Sequence, residues 1–431
     1  MRPRSLLAAV AASRVLDFTL RMGIVPFFPE LAERYGVSFT VVGTLYAAFF
    51  LGYAACQLPC GWAADRLPAQ RLVALGLVGL GVAGLVFAWT SAWPLALAMR
   101  FVMGAALAAV SVPGTRLVSD AFPPDRRGRA FSTVEVVIGA SILLAVSGFP
   151  LLERWVSVTA VTALLSAAAF PLAAVFWRIK AVGPQPGAQA ALKPGGLPRT
   201  ATAAANAGDG RQIAALLLLG FFGLMVLNAF LGWLPTYLET ARQLPKESAA
   251  LLMAVVLGTY IPSAYVCGWL ADRLRRRMLI VNLSTLLMIL AFLGLILLKA
   301  DWALVPVAIL LGIGGGWTPA SLILFASEAL GVARTGWATA LMQTAGQLGS
   351  ALAGILFGAA VDWTGNFDAA WWLAIAILVL RLASARLAVD PVAAPAHTLT
   401  GGPASGRTSS SGDGGNLRDQ QPVHPAGRPS V

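Results

Sequence analysis

Apolar runs of about twenty residues, long enough to cross a bilayer, alternate with short polar breaks along most of the chain. Six lie in the first half, at about 6–31, 39–62, 70–91, 93–118, 129–150 and 155–177. Six more follow in the second, at about 212–238, 247–270, 277–298, 302–328, 336–360 and 368–388. Between the halves, residues 178–211 are polar and rich in Gly, Ala and Pro, the composition of a flexible linker. Residues 389–431 are rich in Gly, Ser and Pro, and the pattern predicts a disordered tail. The organisation expected is thus 1–177, linker 178–211, 212–388 and tail 389–431.

One stretch occurs twice. Cys60-Gly61-Trp62-Ala63-Ala64-Asp65-Arg66-Leu67 returns 207 residues later as Cys267-Gly268-Trp269-Leu270-Ala271-Asp272-Arg273-Leu274. Each copy sits where an apolar run gives way to basic residues. A repeat at half the chain length implies two halves built alike. The fold class expected is an all-α membrane protein with twelve transmembrane helices in two pseudo-symmetric six-helix bundles.

Composition agrees. Of 431 residues, 58% are hydrophobic and 12% charged, against about 25% charged in soluble domains. The formal charge of +12 would suit a nucleic-acid partner, but the basic residues gather in loops, which is an orientation signal. Arg66, Arg71, Arg126, Arg127, Arg129 and Arg273 to Arg277 lie on the side of the N-terminus, and only Arg34, Arg154, Arg242, Lys246 and Lys299 on the other. Both termini and the linker are then cytoplasmic, in an inner (plasma) membrane. The start of the chain resembles a signal peptide only faintly, and retention is expected. Cys56, Cys60 and Cys267 lie in apolar runs and read as small hydrophobes. His397 and His424 lie in the tail. No metal site, cofactor or catalytic set is expected, and hence no enzyme. Bilayer lipid and a small-molecule substrate are the partners expected, with protons, no nucleic acid and a monomeric state.

Ionisable groups at membrane depth are costly and are usually paired or line a cavity. They are Asp17, Arg21, Arg100 and Glu135. Asp17 and Arg21 share a helix face and can pair, as a structural ion pair or beside a cavity. Arg21 and Arg100 facing a central cavity could hold a carboxylate between two guanidiniums; Arg100 could equally brace helix backbones. Glu135 could pair with Arg116. Asp17 and Glu135 are the acids able to couple transport to protons. Tyr46, Tyr53, Asn228, Gln343 and Gln347 add polar contacts near the membrane middle, the two glutamines on one helix face.

In each repeated loop, glycine permits close helix approach. Its aspartate can accept from amides at a neighbouring helix N-terminus, and its arginine can pair with Asp120 or Glu328. Gly61, Asp65, Arg66, Gly268, Asp272 and Arg273 are therefore candidates for a conformational latch.

These residues carry a resemblance. Gly-x-x-x-Asp-Arg resembles the loop signature of the major facilitator superfamily of secondary transporters, with Pro68 where that signature has its second glycine. Arg100-x-x-x-Gly104 and Asp125-Arg126-Arg127-Gly128-Arg129-Ala130 resemble its fourth-helix motif and the loop that follows. Phe49-Phe50-Leu51-Gly52-Tyr53-x-x-x-Gln57-Leu58-Pro59 and Trp233-Leu234-Pro235-Thr236-Tyr237-Leu238 resemble the organic anion:cation symporter branch, which has an aspartate where this chain has Leu20. The resemblance implies alternating access to a site between two bundles, with a small organic anion as substrate and proton symport. The alternatives are a proton-coupled efflux antiporter for drugs or metabolites, and a non-transporting membrane receptor of the same fold.

Overall fold

Lipid offers no partner to a backbone N–H or C=O, so an apolar run folds as a helix that satisfies both groups internally. The computed structural model describes residues 3–152, 155, 157–179, 207–274, 276–330 and 335–388. Most of the expected linker and the whole expected tail lie outside them. The described helices are α1 (Pro3–Met22), α2 (Phe28–Tyr35), α3 (Phe39–Arg66), α4 (Ala69–Trp89), α5 (Trp93–Ala121), α6 (Pro124–Leu143), α7 (Phe149–Leu152) and α8 (Val158–Arg178). After the linker come α9 (Ala207–Thr240), α10 (Lys246–Leu274), α11 (Arg277–Leu297), α12 (Leu304–Ala329), α13 (Thr335–Thr364) and α14 (Phe367–Ala385).

Among the described residues, eleven helical segments are long and apolar enough to cross a membrane. Their outer faces are apolar too. On α4, Leu75, Val78, Val82 and Val86 form an exposed stripe, while Val73, Leu77 and Leu80 point inward. A helix apolar on both faces suits a bilayer, not water. The protein is an all-α, multi-pass membrane protein.

The first apolar run differs from expectation. The pattern predicts one helix over 6–31, but α1 ends at Met22. A 3-10 turn, Val25–Phe27, follows, and then α2, with Pro26 and Pro29 in the opening turns of these two elements. Proline fits a helix start and disrupts a helix interior. These residues leave the run apolar but break the helix. α2 stops at Gly36, whose φ of 62° is the left-handed conformation that glycine supplies at a helix end.

The helices before residue 179 pack mainly on one another: α3 and α4 on α5, α4 on α8, and α1 on α5, α6 and α8. The helices after residue 207 do the same, with α9 on α13 and α14, and α12 on α10 and α11. Small residues set these crossings. A Cβ on Gly52 would strike the Phe101 carbonyl, and one on Gly104 that of Phe49. The glycine run of α12 likewise seats Gly312 against Thr259 and Gly316 against the Tyr260 carbonyl.

The broadest contact between the halves joins α3 to α13. It lies toward the start of α3: Gly43 meets the Gly354 backbone, and Phe39 meets Gly358. At the same end Phe28 and Phe39 pack edge-on to Trp233, and Glu30 pairs with Lys246. At the opposite end, Leu58, Trp62, Tyr265 and Trp269 are exposed, and a Cβ on Gly268 would meet nothing within 4 Å.

Candidate functional site

Residues 14, 17 and 21 of α1 fall on one helix face by their spacing. Asp17, fully buried, sits between two guanidiniums. Its Oδ1 accepts from Arg21 Nη2 at 3.1 Å, and its Oδ2 lies 3.4 Å from Arg14 Nη1. Arg14 also donates to the Ser111 hydroxyl, to the Ser111 carbonyl at 2.8 Å and to Thr115 Oγ1 at 3.3 Å. It thereby ties α1 to α5. Arg21 is enclosed by aromatic rings. Its Cζ is 4.5 Å from the centre of Phe18, 5.4 Å from Phe49 and Tyr53, and 5.7 Å from Phe50. Ring faces attract a guanidinium, and Arg21 Nε is buried without a partner.

Arg100 is placed differently. It is fully buried, and its three nitrogens donate to the Leu45, Leu20 and Arg21 carbonyls at 3.3, 3.1 and 3.3 Å. Leu20 and Arg21 belong to the last turn of α1, whose carbonyls have no intrahelical partners and carry the negative end of the helix dipole. Arg100 thus caps α1 where the chain breaks at Gly23, and braces α1 against α3 and α5.

Tyr46 and Asn228 join the halves. The Tyr46 hydroxyl donates to Asn228 Oδ1 at 3.3 Å, and Asn228 Nδ2 donates to Ser350 Oγ at 2.9 Å and to the Leu224 carbonyl at 3.0 Å. Tyr53, Gln343 and Gln347 are half-buried, and among the described residues neither glutamine amide has a hydrogen-bond partner in the protein. Glu135 is exposed on α6, within electrostatic reach of Arg14 and of Tyr260 on α10. Arg116 pairs with Asp120 at 3.6 Å and donates to the Ala64 carbonyl.

The signature loops pair within their own halves. Arg66 lies over the Trp62 ring at 3.9 Å and Arg273 over Trp269 at 5.4 Å. The expected partners of these arginines are held by others: Asp120 by Arg116, and Glu328 by Arg277. Arg277 forks onto Glu328 from Nε at 3.0 Å and Nη2 at 2.8 Å, and also reaches Asp272 at 3.1 Å. The close helix approach expected at the signature glycines is absent in this conformation. A Cβ on Gly61 would come no nearer than 4.0 Å to Val112, and Gly268 faces open space. The Asp65 side chain lies outside the described residues. Among the described residues there is no cluster of potential metal ligands.

Sequence reasoning missed Arg14, which lies one turn before Asp17 and was legible from helical spacing. It also missed Arg381 of α14, fully buried with Nη1 on Ser284 Oγ at 3.3 Å. A further signal was available in the repeat. The offset of 207 or 208 residues that relates the halves also relates Arg21 to Asn228, Tyr53 to Tyr260 and Glu135 to Gln343.

The profile of the Major Facilitator Superfamily matches residues 10–354 and 240–411. The 3-(3-hydroxy-phenyl)propionate transporter of Escherichia coli (strain K12) is 27% identical over 269 residues, 57% of this chain and 59% of that protein. Sugar efflux transporter A of Dickeya chrysanthemi is 29% identical over 146 residues, 34% of this chain and 36% of that protein. These matches span from about a third to about three-fifths of the relatives' length. Among solved structures, a bacterial homolog of the human lysosomal transporter Spinster, inward-facing and occupied, superposes with a TM-score of 0.72 at 13% identity, covering 89% of this chain and 95% of that one. The nucleoside transporter NupG gives 0.71 at 14% identity, covering 89% and 99%. At such identities the likeness shows the fold. With its profile match across most of the sequence, the chain belongs to the Major Facilitator Superfamily.

Proposed function

We propose that the chain is a secondary transporter of small ring-bearing organic anions, working by alternating access with proton symport. In this reading α1 is the twelfth span, its charges turned inward, and residues 1–177 and 212–388 form two six-helix bundles. The membrane is the inner (plasma) membrane, with both termini, the linker 178–211 and the tail 389–431 cytoplasmic. The protein works as a monomer. The conformation described is open toward the end that carries the signature loops.

One observation carries the anion reading: three buried arginines, Arg14, Arg21 and Arg100, gather at α1 beside one fully buried carboxylate, Asp17, which pairs with the first two only. A region with surplus buried positive charge favours an anionic ligand. Arg100 has its donors on backbone and Arg14 on α5, so Arg21 is the anchor. The rings of Phe18, Phe49, Phe50 and Tyr53 around it suit a planar, apolar substrate body. The repeat divides the site: Arg21 and Glu135 in the first half correspond to the uncharged Asn228 and Gln343 in the second. The charged end of the substrate lies against the first half and its neutral end against the second. The Escherichia coli relative, named for a hydroxyphenylpropionate, supports the same class.

Counterflow of 3-phenylpropionate into proteoliposomes tests this. Replacing Arg21 with Ala removes one charge-assisted interaction, which raises KM by about ten- to a hundredfold, and Arg21→Lys recovers part of the loss. Sugar transport is the second reading. It is favoured by the unengaged amides of Gln343 and Gln347 and by the sugar efflux relative. Counterflow of a neutral sugar, unaffected by Arg21→Ala, would replace the anion reading with that one.

A further inference from the structure

α3 begins with an unusual cap. Ser38 occupies the N-cap position, where a serine hydroxyl ordinarily accepts from an amide of the first turn. It makes no such bond. The amides are taken instead by Asp362, 322 residues away in sequence at the far end of α13. Its Oδ1 accepts from Phe39 N at 3.2 Å, and its Oδ2 accepts from Thr40 N at 2.6 Å and from Thr40 Oγ1 at 2.5 Å. One carboxylate from the second half therefore satisfies the orphan donors, and meets the positive dipole end, of a helix in the first half.

The surroundings make this contact sensitive to separation. Directly beneath it, Gly358 lies against the Phe39 carbonyl, and Gly43 and Gly354 bring the α3 and α13 backbones together. Across the seam, Lys246 at the start of α10 pairs with Glu30 of α2 and lies 5.6 Å from the Phe27 ring centre. Thr236 of α9 is fully buried, one turn beyond the Trp233 that packs on Phe28 and Phe39. Any motion that opens this end must draw Asp362 away from the α3 amides, leaving the first turn of α3 without protein partners.

We propose that Asp362 is a trans-acting helix cap that holds this end of the transporter closed, and that its release from the α3 N-terminus accompanies opening of the substrate path there. Ser38 at the local cap position turns its hydroxyl to Asp362 and not to its own first turn, so the stabilising contact comes from the opposite half and exists only in the closed state. Asp362 thus acts on which way the site faces and does not touch the substrate.

The test is thiol accessibility of the purified full-length protein. Thr236→Cys is placed in a background with Cys56, Cys60 and Cys267 replaced by Ser or Ala, and its reaction with a charged maleimide is timed. No substrate is needed, so the outcome is independent of the anion reading. Asp362→Ala speeds labelling about fivefold, the factor corresponding to a lost N-cap. Asp362→Asn stays near the parental rate, because an asparagine oxygen caps nearly as well as an aspartate. Thr40→Val, which removes only the hydroxyl bond, gives an increase of about twofold. Parental rates for both Asp362→Ala and Thr40→Val, with helix content intact by circular dichroism, would overturn the proposal. If the alanine variant does not fold, the Thr40→Val rate decides alone.

Discussion

Replacing Asp17 with Asn is the sharpest probe of the charge cluster, because it removes a charge while keeping the shape. The carboxylate is fully buried, 3.1 Å from one guanidinium and 3.4 Å from another. At an effective dielectric of about 20, each pair is worth roughly 5 kcal/mol of Coulomb energy before desolvation is subtracted. Removing one partner of a buried ion pair leaves an uncompensated charge and costs about 3–5 kcal/mol. No cavity forms, so no packing loss enters. Equilibrium unfolding in mixed micelles, followed by circular dichroism, should show Asp17→Asn destabilised by about 3–5 kcal/mol. A triple variant, Arg14→Met with Asp17→Leu and Arg21→Met, removes all three charges together. It should return to within about 2 kcal/mol of the parent, since apolar replacement of a buried ion network is often near neutral. That variant keeps its fold and loses anion transport. An Asp17→Asn protein within about 1 kcal/mol of the parent would refute the reasoning, because the two arginines would then have other counter-charges or water.

Three further outcomes follow from the same contacts. Gly104→Ala drives a methyl into the Phe49 carbonyl and should cost about 1–3 kcal/mol; Gly258→Ala, with nothing within 4 Å, should cost nothing, and equal effects in a melting comparison would sink the packing argument. Gly268→Ala should leave the stability of this conformation unchanged, since its Cβ enters open space. It should slow turnover if the end that carries the signature loops closes on that glycine, and full turnover in a flux assay would remove Gly268 from the latch. Glu135→Gln should keep 3-phenylpropionate counterflow but lose accumulation driven by an imposed pH gradient; parental accumulation would exclude Glu135 from coupling.

The spans were legible because the bilayer acts locally: every run of about twenty apolar residues must satisfy its own backbone. The places where sequence reasoning fell short are those where a partner comes from a distant element. Arg100 shows why. Gly23, Pro26 and Pro29 barely change the hydropathy of the first run, so the end of α1 at Met22 was invisible. With it went the unpaired carbonyls of Leu20 and Arg21 that Arg100 caps. An arginine within an apolar run then reads equally well as a ligand contact or a brace, and only the position of the helix end separates the two. Asp362 is the same case in reverse. Ser38 offers a local cap that the fold leaves unused, and no rule of short spacing connects residue 38 to residue 362. The signature loops add a third form of the problem. Their aspartate–arginine pairs mark where a latch can form, but Arg277 and Arg116 hold the acids in this conformation. A motif that would act in another conformation is not read out by the contacts of this one. The repeat was the stronger guide. It relates Arg21 to Asn228 and Glu135 to Gln343 without any structure, and in both pairs the charge lies in the first half. Near-identity of sequence at the loops and difference of charge at membrane depth separate what the repeat keeps, the scaffold, from what it lets vary, the candidate site.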